Sequence, residues 1–322
     1  MMRAIQYTNY GQPSVLHIGE SMKPKPKKGE VLVKVGASGI NPVDTYFRKG
    51  IREVDQFPHI PHFDLAGVVR ELGEDVTNVK VGDRIWATTA KGASAEYIVF
   101  DAKKAFPLPS HLSYEEGAAI AMAFTTAHLS LFWRANLQKD EKVLIYGAAG
   151  AVGQAAVQLA KQSGAFVIAT AGNEQKSSIA IKAGADVVLN YHEEDLSKRI
   201  NELTSGSGID VILDMSVSEN IDHNLDIIAN GGRIVTIGSP VNNEPTLPWR
   251  KLNMKNASLL GILLFTVPQT KLEQAGKEIS EGFAAKKLHA HIGQVFSFNE
   301  AALAHETLEA KQIDGRIIIT HN

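Results

Sequence analysis

The chain has 322 residues, 44% of them hydrophobic and 21% charged, and 33 Lys and Arg against 35 Asp and Glu give a formal net charge of −2. This length suffices for two domains with substantial cores, and the near-neutral balance leaves no electrostatic footprint for nucleic acid or an anionic membrane. Cysteine is absent, which excludes disulfides, thiolate nucleophiles and cysteine-built zinc sites.

The N-terminal Met1-Met2-Arg3-Ala4-Ile5-Gln6-Tyr7 reads as the start of a strand rather than an apolar signal core. The longest strongly apolar run, 259–265, is far too short to span a bilayer, so the expected compartment is the cytoplasm. Through the first third, short strand signals at 31–35, 65–73 and 84–87 alternate with turns such as Gly29-Glu30 and Gly82-Asp83, predicting a small barrel-like β domain. Ser113-Tyr114-Glu115-Glu116 is a capping box that opens a helix over 117–122, and Thr125-Thr126 is read as the cap of a following helix through Trp133.

From Lys142 strands and helices alternate. Strands are expected at 143–146, 166–170, 187–189, 210–214, 233–237 and 258–264. Gly164, Gly184 and Gly231-Gly232 are read as the C-caps of three intervening helices. Six strands with helical crossovers make an α/β fold with a doubly wound parallel six-stranded sheet of the Rossmann type. A tail with a helix at 271–286, a strand region, a helix at 299–311 and a last strand after Asp314-Gly315 is expected to return to the first domain. The expected division is 1–122, 123–265 and 266–322, the last part rejoining the first.

The most informative segment is Gly147-Ala148-Ala149-Gly150-Ala151-Val152-Gly153, set between a buried strand and an apolar helix. Strand, glycine turn and helix make a pyrophosphate site. The glycines allow close approach of the backbone, and the free N–H groups of the helix start supply positive potential. An NAD site places an acid about 20 residues beyond this motif, on the ribose 2′-hydroxyl. Here Ile168-Ala169-Thr170-Ala171-Gly172 ends without one, and Lys176 follows within reach of a 2′-phosphate. Glu174 takes the acid's role if the strand ends later. NADPH is the expected cofactor, with Gly172 among the residues that bind it.

Residues 39–50, with Asn41-Pro42-Val43-Asp44-Thr45-Tyr46 at their centre, combine with Pro61-His62-Phe63-Asp64-Leu65-Ala66-Gly67, Phe124-Thr125-Thr126-Ala127, the glycine motif and Asn190-Tyr191. Together they resemble the medium-chain dehydrogenase/reductase superfamily, specifically its zeta-crystallin-like quinone oxidoreductases, over essentially the whole chain. Ala151 departs from the pattern, since many relatives carry glycine there. The resemblance implies a GroES-like catalytic domain beside the Rossmann domain. In the zinc alcohol dehydrogenases of the superfamily, the first cysteine ligand falls at Asn41 and the ligand histidine at Phe63. No metal site is therefore expected. His289-Ala290-His291 is read as an exposed strand pair, and His59, His62 and His128 show no metal-cluster spacing.

The resemblance also implies roles. Asn41 stands beside the nicotinamide ribose and Thr126 near the carboxamide, Lys176 and Tyr191 bind the 2′-phosphate, and Lys311 takes the place of a relative's arginine. Gly238-Ser239 ends the fifth sheet strand, and Leu263 and Phe265 lie beside the nicotinamide. Tyr46 lines the substrate pocket, either donating a hydrogen bond or only filling the wall, while Asp44 is a structural acceptor more than a base. The expected activity is metal-free, NADPH-dependent reduction of quinones or related enones. A 2-enal or enoyl-thioester reductase is the alternative within enzymes, and an NADPH-binding structural or regulatory protein the alternative outside them. The apolar edge strand at 256–265 predicts a homodimer.

Overall fold

A computed structural model describes residues 1–238 and 241–321. It divides into two compact units, one of Met1–Thr125 with the chain from Leu272 onward, the other of Thr126–Lys271. Among the described residues no helix is long and apolar enough to cross a membrane.

The second unit is built on a six-stranded sheet of Lys142–Ile145, Phe166–Ala171, Val187–Asn190, Ile209–Asp214, Ile228–Thr236 and Ser258–Gly261, called β1 to β6. All neighbours are parallel, in the order β3-β2-β1-β4-β5-β6. In this doubly wound order the direction of winding reverses between β1 and β4, opening a crevice beyond their carboxyl ends. Val143, Leu144, Ile145, Val211, Ile212 and Leu213 are fully buried, as a parallel sheet covered on both faces requires. The crossover helices are Ala151–Gln162, Glu174–Ala183, Leu196–Thr204, Val217–Ile227 and Trp249–Met254, called α1 to α5. Ala155, Ala156 and Ala160 of α1 are fully buried, and their small side chains let the helix lie close to the sheet. The Asn173 side chain caps α2 by accepting the Lys176 N–H at 2.9 Å, and Gly184 ends that helix at φ 108°.

Three local expectations are corrected. Thr125 and Thr126 do not start a new helix: one helix, Tyr114–His128, runs through both and continues as a π-helical turn, Leu129–Arg134. No Gly or Pro interrupts 118–134, and both threonines are buried, so an apolar helix has no reason to break there. The Ser113–Glu116 capping box does form, with hydrogen bonds of 2.7 and 3.1 Å. Gly231-Gly232 is no C-cap either. Helix α4 gives way directly to extended Ile228, and Gly231, at φ 78°, donates to Lys255 O inside an irregularity of the β4–β5 register. A glycine pair serves a bulge as readily as a helix end. Finally, the strand expected at 258–264 stops at Gly261, where the paired part of β5 ends, and Leu264–Thr266 turns as a 3-10 helix.

The first unit holds a seven-stranded sheet in which Glu30–Ile40 is central. This long strand pairs antiparallel with Asp64–Leu72 on one side, and on the other with Tyr97–Asp101 and the C-terminal Arg316–Thr320. Arg316–Thr320 also pairs parallel with Ile292–Phe296, so the tail supplies two strands of this sheet. His289 and His291 lie ahead of Ile292–Phe296 in irregular chain, not in a strand.

Candidate active site

In the second unit the glycine turn follows β1. Gly147 has φ 60°, the Gly150 N–H closes back on Gly147 O at 2.9 Å, and Gly150 enters α1 without any side-chain cap. A Cβ on Gly153 would collide with Gly147 O and lie 2.7 Å from Ala148 Cα. Glycine at 153 is thus required for α1 to seat against its own turn, while Ala151 and Val152 sit half-buried at the helix start. The uncapped first turn presents N–H groups to an anion.

The end of β2 carries no acid: its last residue is buried Ala171. Gly172 follows, and a Cβ there would meet the Tyr191 hydroxyl and come within 3.4 Å of His192 Nε2. The Tyr191 and His192 rings pack at 4.5 Å. Lys176 lies half-buried in the first turn of α2, and its ammonium makes no ion pair with any described residue. Gly172 and Tyr191 therefore meet beyond the carboxyl ends of β2 and β3, and Lys176 lies on the helix that follows Gly172. Gly238 follows β5 and accepts from Val217 N–H at 3.2 Å, whereas Ser239 lies outside the described residues. Leu263 and Phe265 follow β6 with 45 and 36% of their surface exposed. Thr126 is buried in its helix.

In the first unit Asn41 precedes the short helix Pro42–Arg48 and is buried. Its backbone N–H donates to Asp44 at 2.6 Å, its Nδ2 donates to Asp64 at 2.9 Å, and its Oδ1 accepts from Arg316. Asp64 also accepts from Arg316 at 2.8 Å, Thr88 at 2.7 Å and the Met122 N–H at 3.1 Å. Arg316 fixes the amide of Asn41 with its oxygen inward, leaving one N–H of Nδ2 for another acceptor. Asp44 is fully buried with Oδ1 unpartnered, and burial pushes its carboxyl well above the usual range. Tyr46 is half-exposed on the same helix. Lys311 is an exposed turn residue of this unit at φ 52°, just after the helix Ala301–Glu309.

The sequence reading missed several of these groups. Arg316 is 252 residues from Asp64 and carries no motif of its own, although Asp64 lies within the Pro61–Gly67 segment. A buried cluster joins His62 to His305 at 2.9 Å, and Ser38 to His321 at 2.9 Å, with Ser94 also on His62. No sequence spacing announces it.

Two family models match the chain: "Alcohol dehydrogenase GroES-like domain" over residues 27–110 and "Zinc-binding dehydrogenase" over 151–281. The quinone oxidoreductase of Sus scrofa is 34% identical, covering 99% of this chain and 98% of its own. The Escherichia coli quinone oxidoreductase crystallised with NADPH has a TM-score of 0.87 at 31% identity, covering 99% of both chains. The CurK enoyl reductase superposes with a TM-score of 0.89 at 26% identity, covering 99% of both chains.

A catalytic zinc needs three protein ligands and an open position. Here Phe63 offers a ring packed 5.4 Å from that of Phe47, and the Asn41 amide is held between Asp64 and Arg316. The guanidinium already places a positive charge beside these groups. This donor set does not fit zinc. Full-length similarity and both domain matches show that the chain belongs to the quinone oxidoreductase family of the medium-chain dehydrogenase/reductase superfamily.

Proposed function

We propose that this protein is an NADPH-dependent oxidoreductase that delivers hydride to quinones or related conjugated carbonyls without a metal. The observation that carries the reading is the end of β2, which closes on Ala171 without an acid, with Lys176 in the first turn of the next helix and in no ion pair with a described residue. The E. coli relative crystallised with NADPH supports the same cofactor.

On this reading the N–H groups of Gly150–Gly153 hold the pyrophosphate, and Lys176 and Tyr191 hold the 2′-phosphate, with Lys311 as a further candidate cation. Gly238 and Ser239, Leu263 and Phe265 complete the cofactor contacts, with Thr126 at the carboxamide. Bound NADPH supplies the hydride. Asn41 offers its remaining N–H as a donor, Asp44 holds the Asn41 backbone, and Tyr46 donates to the substrate oxygen. A quinone or enone that accepts hydride spreads the charge into a phenolate or enolate. Hydrogen-bond donors then suffice where a simple carbonyl would need a Lewis acid. The enoyl reductase neighbour supports reduction of 2-enals or enoyl thioesters as the second reading. We place the enzyme in the cytoplasm as a homodimer joined through β6.

Steady-state oxidation of NADPH and NADH against quinones, enals and enoyl thioesters tests both readings. Fastest turnover of NADPH with a quinone is expected. Preference for an enoyl thioester favours the second reading, and NADPH binding without turnover of any acceptor would leave only a binding role.

A further inference from the structure

The glycine turn is braced by side chains that lie outside it. Tyr146 immediately follows β1 and precedes Gly147, and its backbone N–H is tied to Leu213 O of β4 at 3.1 Å. Its phenol donates to Asn224 Oδ1 of α4 at 2.9 Å, and Asn224 Nδ2 donates to Asp214 Oδ2, at the end of β4, at 2.6 Å. The other oxygen of Asp214 accepts from Ser216 N–H at 2.8 Å and Asn220 Nδ2 at 2.9 Å. Asp214 and Asn224 are wholly buried, and Tyr146 nearly so.

The chain of bonds has a fixed direction. Flipping the Asn224 amide would set its oxygen against the Asp214 carboxylate, so the amide must present oxygen to the phenol. The brace spans β1 and β4, the two strands between which the winding of the sheet reverses. The far end of the turn is held separately, by Gln154 Nε2 donating to Ala149 O at 2.6 Å. Between these supports Gly147 takes its positive φ, and its carbonyl receives the Gly150 N–H.

We infer that Tyr146, acting through Asn224 and Asp214, is a positioning residue for the cofactor's pyrophosphate: it sets where the glycine turn begins and so where the first N–H groups of α1 point. The inference rests on the reading that this turn binds NADPH.

Tyr146→Phe tests it, because the ring and its packing stay and only the O–H is lost. Affinities for NADPH, NADP⁺ and adenosine 2′-monophosphate are measured by titration, with steady-state kinetics alongside. NADPH and NADP⁺ should weaken by about three- to thirtyfold. The KM for NADPH should rise while kcat and the KM for the quinone hold. Adenosine 2′-monophosphate, which has no pyrophosphate, should bind as before. Asn224→Ser breaks the same link from the other side and should reproduce this selectivity if Tyr146→Phe folds poorly. Unchanged NADPH affinity, or equal losses for NADPH and adenosine 2′-monophosphate, would overturn the inference. Failure of the native protein to bind NADPH would instead overturn the reading of the turn itself, and appears before any variant is made.

Discussion

Lys176 stands in the first turn of α2, four residues beyond Gly172, whose own neighbour is the Tyr191 hydroxyl, in the region where an NAD site would present a carboxylate. A charged hydrogen bond from this lysine to a 2′-phosphate, as proposed, would contribute about 1.5–3 kcal/mol. NADPH should therefore bind more tightly than NADH, and Lys176→Ala should narrow the gap by about one to two powers of ten. Titration of both cofactors checks this, and equal native affinities would refute it. The place of Lys176, on the helix after an acid-free β2, was legible because it follows from strand length and the glycine motif, both of which are local. Arg316 was not. It reaches Asp64 and Asn41 across most of the chain, and a lone arginine in a C-terminal strand looks like any other. Tyr146 was read only as the end of a strand, since nothing in the sequence says that its hydroxyl finds Asn224.

Secondary elements bring distant polar residues into the first unit's interior, and this has a pH consequence. The helix Ala301–Glu309 carries His305 against His62, their rings stacked at 5.2 Å, while His321 follows the strand Arg316–Thr320. Burial pushes His305 and His321 down to about 3 from the usual 6.5, and also lowers His62. Between those values the unfolded chain binds protons that the folded chain does not. Stability from these histidines is full above pH 6.5 and falls as pH drops toward 3, by up to about 1.4 kcal/mol per pH unit for each. Buried Asp44 acts with the opposite sign, because its raised pKa favours the folded state as pH falls. A difference measurement separates the two. His305→Asn should lose less stability than the native protein between pH 7.5 and pH 5 in urea titrations, and parallel losses would contradict the assignment. Elements themselves were largely readable. The order of strands and helices beyond Lys142 followed from alternation, and the capping box at Ser113 formed. Two of the misreadings fell where one residue type serves two geometries: threonine within or before a helix, and paired glycines at a helix end or in a bulge. The last strand of the parallel sheet was read too long because its apolar run outlasts the paired part of β5.

At the scale of the whole molecule, β6 is, with β3, one of the two edges of the parallel sheet. Its four residues pair on one side with Arg233–Thr236 of β5, and an unpaired strand edge is a template for another chain. Leu259 is 37% exposed on this edge, and Trp249 and Met254 of α5 are 63 and 76% exposed, more apolar surface than an isolated edge carries to advantage. Pairing β6 with its copy about a two-fold axis would satisfy the free groups and join two sheets. The register identifies which groups those are. The Ile262 N–H reaches inward to Thr236 O at 3.4 Å, and Leu260 O accepts from Thr236 Oγ1 at 3.5 Å. Backbone groups of a strand alternate in direction, so Leu260 also points inward, and the outward N–H groups belong to Leu259 and Gly261. A proline at Leu260 would damage the sheet rather than the proposed interface. Leu259→Pro is the discriminating substitution: it removes an outward donor, twice by symmetry, and should weaken a dimer by about tenfold or more. Light scattering at micromolar concentration should show the native protein at twice its chain mass and Leu259→Pro shifted toward monomer. A native mass of one chain would rule out this assembly.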